Sequence, residues 1–496
     1  MWLVDVLEGT HGEVTNGLAP VDREITGLTC DSRRVEPGFL FAALPGTQTD
    51  GRSFIPEALS RGAVAVLAQP GTVIDAESGI PLVTDENPRR EYALMAARFF
   101  AEQPETVVAV TGTNGKTSVV SFLRQIWSGL GYKSASAGTL GIELAGFGAG
   151  DAPDFNEATH LTTPDPVDLH RNLFDLSELG VKRLGLEASS HGLAQYRLDG
   201  LRVAAAAFTN LTRDHLDYHG AMVDYLGAKM RLFSEILVDG GTAVVNTDSD
   251  YSDAVIAASR GRGHRVLTYG SQTADIRLLS IQSLTDGQRL ELQVLGHPMQ
   301  LTLPLAGGFQ ASNALCALAL AVAVGDDPEA VVAQIQSLEG APGRVELVGH
   351  HVSGAPVFVD YAHTPDALAS VLKALRPHTT NDLRVVFGCG GDRDPGKRPE
   401  MGDVACKNAD IVIVTDDNPR TEDPAAIRAQ TIATCPGAVE IGDRAEAISE
   451  AIKGLKAGDL LIVAGKGHET GQSIGDMVRP FDDANVVRAI LKELAQ

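Results

Sequence analysis

The stretch Thr106-Val-Val-Ala-Val-Thr-Gly-Thr-Asn-Gly-Lys-Thr-Ser118 decides the fold, because a short apolar run stops abruptly at a loop of glycines, hydroxyls and one lysine. Such a run reads as a strand buried on both faces. Beyond the loop, apolar residues at 119, 120, 122, 123, 126, 127 and 130 recur at helical spacing, and Gly131 closes the pattern. Strand, glycine loop and helix in that order set backbone N–H groups at a helix N-terminus, where anions bind. Lys116 then offers a charge to phosphate oxygens and Thr117 a hydroxyl suited to Mg²⁺. The longer phosphate-loop pattern has Gly where this chain has Val110, so the match is to a shorter GxxGKT/S form. A chance glycine turn is the bland alternative, and the strand and helix on the correct sides argue against it.

Working outward, 496 residues exceed what one hydrophobic core organises, and three domains are expected. Residues 1–104 carry apolar runs at 39–44, 63–68 and 80–83 between Gly, Pro and Asp, which predicts a small α/β domain ending near Pro104. Residues 105–340 repeat the strand pattern at 184–187, 204–209 and 242–246, predicting a P-loop-type parallel sheet. Shorter alternating runs at 289–303 predict a hairpin, and 311–324 a helix. Gly, Ala and Pro cluster at 340–344, and 341–496 then offers strands at 357–359, 384–387, 411–414 and 460–463, each running into a polar loop. That is a doubly wound, Rossmann-like sheet whose loops face one site.

Bulk composition narrows the partners. A net charge of −23 opposes binding to nucleic acid or an anionic membrane. Five cysteines without a CxxC pair fit reduced thiols in the cytoplasm. The first residues lack the basic leader of a signal peptide, and no window reaches the roughly 18 apolar residues of a membrane span. A cytoplasmic monomer without membrane insertion is expected.

Two further strand ends carry candidate ligands, Glu187 in LEASSH (186–191) and His215 in NLTRDHLD (210–217). Both suit Mg²⁺, which keeps few protein ligands and leans on substrate phosphates. Either could instead cap a helix, but two such loops after one phosphate loop favour the metal. Lys229 lies among apolar residues on a helical stretch, where a lysine usually snorkels to solvent. Its functional alternative is a neutral amine that has taken up CO₂ to form a carbamate, an anionic ligand for a second Mg²⁺. Three C-terminal loops, GCGGDRDPGKR (388–398), DDNPR (416–420) and GKGHE (465–469), pack acids, bases and glycines at successive strand ends. Charged loops are commonly solvated surface; three together suggest a zwitterionic ligand, because Arg holds carboxylate bidentately.

The ordered set of motifs resembles the Mur ligase family of bacterial cell-wall synthesis over essentially the whole chain, in particular its tripeptide-forming members. The set comprises DSR (31–33), GTQTDG (46–51), TGTNGKTS (111–118), TTP (162–164), EASSHGLAQYR (187–197), NLTRDHLDYHG (210–220), AKMRLF (228–233), GRVE (343–346), DYAHTPD (360–366), GCGGDRDPGKRP (388–399), DNPR (417–420) and GKGHE. The resemblance implies a three-domain, ATP-dependent acid–amino-acid ligase that takes UDP-MurNAc-L-Ala-D-Glu and an amino acid. It implies ATP contacts from Gly112, Thr113, Asn114, Gly115, Lys116, Thr117 and Ser118, with Asn313, Arg344 and Asp360 at base and ribose. It implies Lys116, Glu187, His215 and Lys229 as the catalytic set, with Thr117, Glu187, His215 and carbamylated Lys229 holding a pair of Mg²⁺ ions. Sugar-peptide contacts fall on Cys30, Ser32, Thr47, Gln48, Thr162, Thr163, Ser189, Gln195 and Arg197. Gln310 and Leu161 stand where members of the family often have Asn. For the amino acid the family residues match Arg393, Asp417, Asn418, Pro419, Arg420, Gly465 and Glu469, and DNPR goes with meso-diaminopimelate. The physical reason is that diaminopimelate carries a second carboxylate that Arg420 and Arg393 would pair, whereas lysine would leave them unpartnered. The rivals are the same ligase adding L-lysine, a folylpolyglutamate synthase and, from another class, a P-loop GTPase or motor.

Overall fold

Thr106–Thr111 forms the expected strand, all but its first residue buried, and every other sheet element of the central region is arranged around it. The computed structural model describes residues 1–10, 12–15, 23–46, 49–75, 78–148, 155, 161–212 and 214–495. They fall into two units, Met1–Lys116 with Trp127–Leu267, and Thr117–Ile126 with Thr268–Gln496.

In the first unit, the N-terminal residues make a sheet in the order Glu13–Thr15, Leu82–Thr84, Ala65–Ala68, Phe39–Ala42, Gly27–Thr29, antiparallel only at the first pairing. Separate apolar clusters form around it, one with Leu3, Leu28, Leu67 and Tyr92, the other with Val35, Phe41, Val66 and Ile55. The helix Pro88–Phe100 is capped by the Asn87 side chain and has proline in its first turn, as the fixed φ of Pro favours.

The larger sheet of this unit runs Leu237–Asn246, Val203–Phe208, Thr106–Thr111, Arg183–Glu187, Ser134–Gly138, Gly141–Ala145. All pairings are parallel except the last hairpin. Register pairs Phe208 with Thr111 and Val110 with Glu187, so three strands end level at one edge. Parallel sheets place ligands beyond the carboxyl ends of their strands, which is where Gly112, Ala188 and Thr209 begin their loops. The hairpin 134–145 is absent from the sequence expectation, because Ser-Ala-Ser-Ala-Gly contains no β-branched or aromatic residue to mark a strand.

In the second unit, the antiparallel strands Ile276–Ser283, Gln288–Val294 and His297–Leu303 extend the predicted hairpin by one strand. Gln288–Val294 alternates buried and exposed at every residue, the signature of a one-faced strand. The helix Gly308–Ala323 is buried without interruption from Asn313 through Ala321. Its Ala/Leu composition permits burial all round, and Asn313 is the polar member of that run.

The C-terminal sheet runs Arg344–His350, Pro356–Asp360, Leu460–Ala464, Leu383–Phe387, Ile411–Val414, Val439–Glu440, parallel except at the first pairing. These include the four strands predicted from sequence. Apolar clusters form around Phe358, Leu372, Val385 and Ile462, and around Val357, Val386, Ile448 and Val463, so alternate residues of the same strands serve different clusters. The fold class is therefore α/β with mainly parallel sheets, as expected.

One buried ion pair braces the end of the strand Leu460–Ala464. Arg444 and Asp483 are fully buried and joined by two hydrogen bonds of 2.7 Å, while Arg444 Nη2 also donates to the Ala464 carbonyl at 2.9 Å. Removing one partner leaves a buried charge uncompensated, which costs about 3–5 kcal/mol. Asp483→Ala is expected to lower unfolding free energy by about that amount in a urea titration, and Arg444→Met with Asp483→Leu to recover much of it.

Candidate active site

The phosphate loop is held by the adjacent pair Thr209 and Asn210. Thr113 N donates to Asn210 O at 2.9 Å, and Asn114 N to Asn210 Oδ1 at 2.9 Å. Thr209 Oγ1 donates to Asn114 O at 2.7 Å. Gly112 has φ +147°, and a Cβ there would run into Thr209 Oγ1, so the close approach of these loops requires glycine. Thr117 and Ser118 are buried in the first turn of the helix Lys116–Gly129.

Two lysine amines converge on one carbonyl. Lys116 Nζ donates to Gly112 O at 3.0 Å and to Thr113 O at 2.9 Å, and Lys229 Nζ donates to the same Gly112 O at 2.8 Å. Lys229 is buried, with its amine 4.4 Å from the centre of the Tyr225 ring. Burial first, and then the neighbouring Lys116 charge, hold the Lys229 amine well below the ordinary lysine range. It does not snorkel to solvent, a choice that sequence patterning alone leaves open.

Glu187 is buried at the end of its strand, its Oε1 accepting from Thr139 N at 2.8 Å and its Oε2 from Thr139 Oγ1 at 3.3 Å. A Cβ at Gly138 would overlap the Glu187 side chain, so the hairpin missed in the sequence supplies both the space and the donors for this carboxylate. His215 has φ +51°, an uncommon conformation for a non-glycine residue, and its ring packs edge-on against His191 at 4.9 Å. Its Nε2 lies 3.5 Å from Asp214 Oδ2. Among the described residues, no three His, Cys, Asp or Glu side chains are grouped to hold a metal by themselves. The donors present suit a hard cation that takes most of its oxygens from elsewhere, as Mg²⁺ does.

Of the residues expected at the sugar peptide, Thr163, Ser189, Gln195 and Arg197 form a connected network. Thr163 Oγ1 lies 2.9 Å from Ser189 Oγ, Arg197 Nη1 donates to Thr163 O at 2.6 Å, and Arg197 Nη2 to Gln195 Oε1 at 2.6 Å. Gln195 Nε2 continues to the Tyr218 hydroxyl at 3.0 Å, and Thr162 meets Thr139 hydroxyl to hydroxyl at 3.1 Å. Cys30 Sγ donates to Asp165 Oδ2 at 3.4 Å, while Ser32 Oγ turns instead to Glu57 at 2.7 Å. Thr47 and Gln48 lie outside the described residues, as does Arg213.

In the second unit, Asn313 donates to Gln310 Oε1 at 3.0 Å and Gln310 Nε2 to Arg344 O at 2.9 Å, so glutamine at 310 still links helix to strand. Asp360 accepts from Val345 N at 2.8 Å and Ala362 N at 2.7 Å, and burial raises its pKa despite the Arg344 charge. Arg344 stacks over the Tyr361 ring at 4.9 Å.

The DNPR and GKGHE loops interlock. Asn418 Nδ2 donates to Glu469 Oε2 at 2.9 Å, and Asp417 Oδ2 is buried without a hydrogen-bond partner beside Gly465. Arg420, preceded by the buried Pro419, has φ +52°. That conformation is held by Arg420 N to Ser473 O at 3.0 Å and by Gly475 N to Arg420 O at 2.6 Å. The Arg420 guanidinium donates to the Gly391 carbonyl at 2.7 Å, and among the described residues neither Arg420 nor the exposed Arg393 has an acidic ion-pair partner. Sequence reasoning missed Lys466, fully buried in the GKGHE loop, and the hairpin Gly471–Ile474 with Met477–Pro480, whose Gln472 donates to Asp417 O at 2.8 Å. A lysine flanked by two glycines reads as exposed loop, so only its motif could have drawn attention to it.

Comparison with known proteins agrees with this arrangement. Residues 24–100 match the family described as Mur ligase family, catalytic domain, residues 110–321 the Mur ligase middle domain, and residues 343–467 the Mur ligase, glutamate ligase domain. The UDP-N-acetylmuramoyl-L-alanyl-D-glutamate--2,6-diaminopimelate ligase of Mesorhizobium japonicum is 51% identical over 479 residues, covering 97% of each chain. The protein of the same name from Rhizobium meliloti is 52% identical over 468 residues, 94% of each. A solved structure of a UDP-N-acetylmuramoyl-L-alanyl-D-glutamate--2,6-diaminopimelate ligase superposes with a TM-score of 0.74 at 35% identity, covering 97% of each chain. With matches of this extent and identity, the chain belongs to the Mur ligase family.

Proposed function

We propose that the protein joins meso-2,6-diaminopimelate to the D-Glu residue of UDP-MurNAc-L-Ala-D-Glu, with ATP as the energy source, in peptidoglycan precursor synthesis. The observation that carries this reading is Arg420, fixed in a left-handed backbone conformation with no acidic partner among the described residues. A bidentate cation so placed calls for a carboxylate, which diaminopimelate has at its far end and lysine lacks. The names of the relatives support the same choice. The relatives match across residues 24–100 as well, which favours a UDP-sugar ligase over the folylpolyglutamate synthase alternative.

In the reaction the D-Glu γ-carboxylate attacks the γ-phosphorus of ATP, giving an acyl phosphate and ADP. The amine then attacks the acyl carbon, and phosphate leaves from the tetrahedral intermediate after the nitrogen has lost its proton. Lys116, at the helix N-terminus, would offset charge on the transferring phosphoryl group, and the N–H groups of that helix's first turn would orient the phosphates. Thr163, Ser189, Gln195 and Arg197 are assigned to the sugar peptide, and Asn313, Arg344 and Asp360 to the nucleotide's base and ribose. Thr117, Glu187, His215 and Lys229 would hold a pair of Mg²⁺ ions, which neutralise phosphoryl charge when bound.

Lys229 serves best as a carbamate in this account. A lowered pKa supplies the neutral amine that reacts with CO₂, releasing one proton and leaving an anion beside Lys116. The functional domains are assigned as 1–104 for the UDP-sugar, 105–340 for ATP and 341–496 for the amino acid. No helix among the described residues is long and apolar enough to cross a membrane. A cytoplasmic monomer is the working assignment.

Phosphate release with ATP, the UDP-sugar dipeptide and each amino acid in turn tests the reading: diaminopimelate is expected to support turnover well above L-lysine, and the reverse order would overturn it. Arg420→Ala should cut kcat/KM for diaminopimelate by about a hundredfold or more, the loss of a charge-assisted hydrogen-bonded pair, while leaving the KM for ATP unchanged. Lys229→Ala is expected to lower kcat by about two to three orders of magnitude, as removal of a transition-state electrostatic group does, with a thermal melt showing that the fold persists.

A further inference from the structure

Lys466 is fully buried, yet its ammonium meets three acceptors: Asn418 Oδ1 at 3.2 Å, Glu469 Oε2 at 3.1 Å and the Gly471 carbonyl at 2.6 Å. All three of its N–H donors are thereby used, so it has none left for a ligand. Two of the acceptors are side chains assigned to the amino acid. Asn418 is in turn fixed at both ends, its Nδ2 on Glu469 and its Oδ1 receiving Ser473 N at 2.9 Å.

The charges around the amino-acid loops give this lysine a second consequence. Arg444 is matched by Asp483, Arg398 by Glu422, and Arg428 by Asp416 and Glu440. Arg393 and Arg420 have no acidic ion-pair partner among the described residues, and Lys466 offsets the Glu469 carboxylate from inside the loop at 3.1 Å. The far end of diaminopimelate carries an ammonium and a carboxylate, whereas that of lysine carries an ammonium alone. Offsetting that carboxylate therefore disfavours lysine more than diaminopimelate.

We propose that Lys466 is a positioning and specificity residue: it holds Asn418 and Glu469 in place and supplies the charge by which the loops favour an amino acid bearing a second carboxylate. This rests on the assignment of diaminopimelate above. Lys466 acts through its neighbours and does not touch the reacting atoms.

The test compares kcat/KM for diaminopimelate and for L-lysine in wild type, Lys466→Met and Lys466→Gln, the last keeping a donor for the Gly471 carbonyl. The diaminopimelate-to-lysine ratio is expected to fall at least about tenfold in both variants, with KM for ATP and for the UDP-sugar dipeptide within about twofold of wild type. A purely structural lysine would lower both rates together and leave the ratio alone. An unchanged ratio, or failure of both variants to fold, would overturn the proposal while wild-type preference for diaminopimelate stands. Wild-type preference for lysine would overturn the underlying assignment, and this inference with it.

Discussion

The carbonyl oxygen of Gly112 accepts hydrogen bonds from both Lys116 and Lys229, and the chemistry proposed for the central region rests on that shared acceptor. Two ammonium groups on one oxygen repel each other, and burial withholds the water that would screen them. Burial first, and then the Lys116 charge, hold the Lys229 amine well below the ordinary lysine range, which favours its neutral form. A neutral amine is a nucleophile toward CO₂, and the proposed carbamate on Lys229 would exchange repulsion from Lys116 for attraction. The same oxygen thus ties the helix bearing Lys229 to the glycine loop.

The amino-acid loops follow a related rule with opposite emphasis. Arg398, Arg428 and Arg444 are paired with acids, whereas among the described residues the half-buried Arg420 has no acidic ion-pair partner and Asp417 Oδ2 no hydrogen-bond donor. Buried or half-buried groups left in that state are unfavourable unless a ligand completes them. A molecule with ammonium and carboxylate groups at each end does so. The strained φ of Arg420 is consistent with a backbone held in place by the hairpin behind it.

Much of this is legible in the sequence. The phosphate loop, the parallel strands around it and the four C-terminal strands announce themselves as apolar runs ending in glycine or charge, because both faces of such strands are buried. The hairpin at 134–145 is not, since small residues carry no strand signal, and with it go the Thr139 contacts that hold Glu187. Lys466 reads as loop surface between two glycines and is buried in the fold. Ser32 is legible as a site residue by motif, but its hydroxyl is taken by Glu57, a partner that no local pattern reveals. Long-range partners of this kind depend on register and packing, which a single sequence does not display.

The Lys229 amine is the group to measure. Nuclear magnetic resonance of the native enzyme equilibrated with isotopically labelled CO₂, repeated on Lys229→Ala, reads its state directly. A carbamate carbonyl resonance in the native protein that disappears in the variant is the predicted result. An active enzyme showing no such resonance would contradict it.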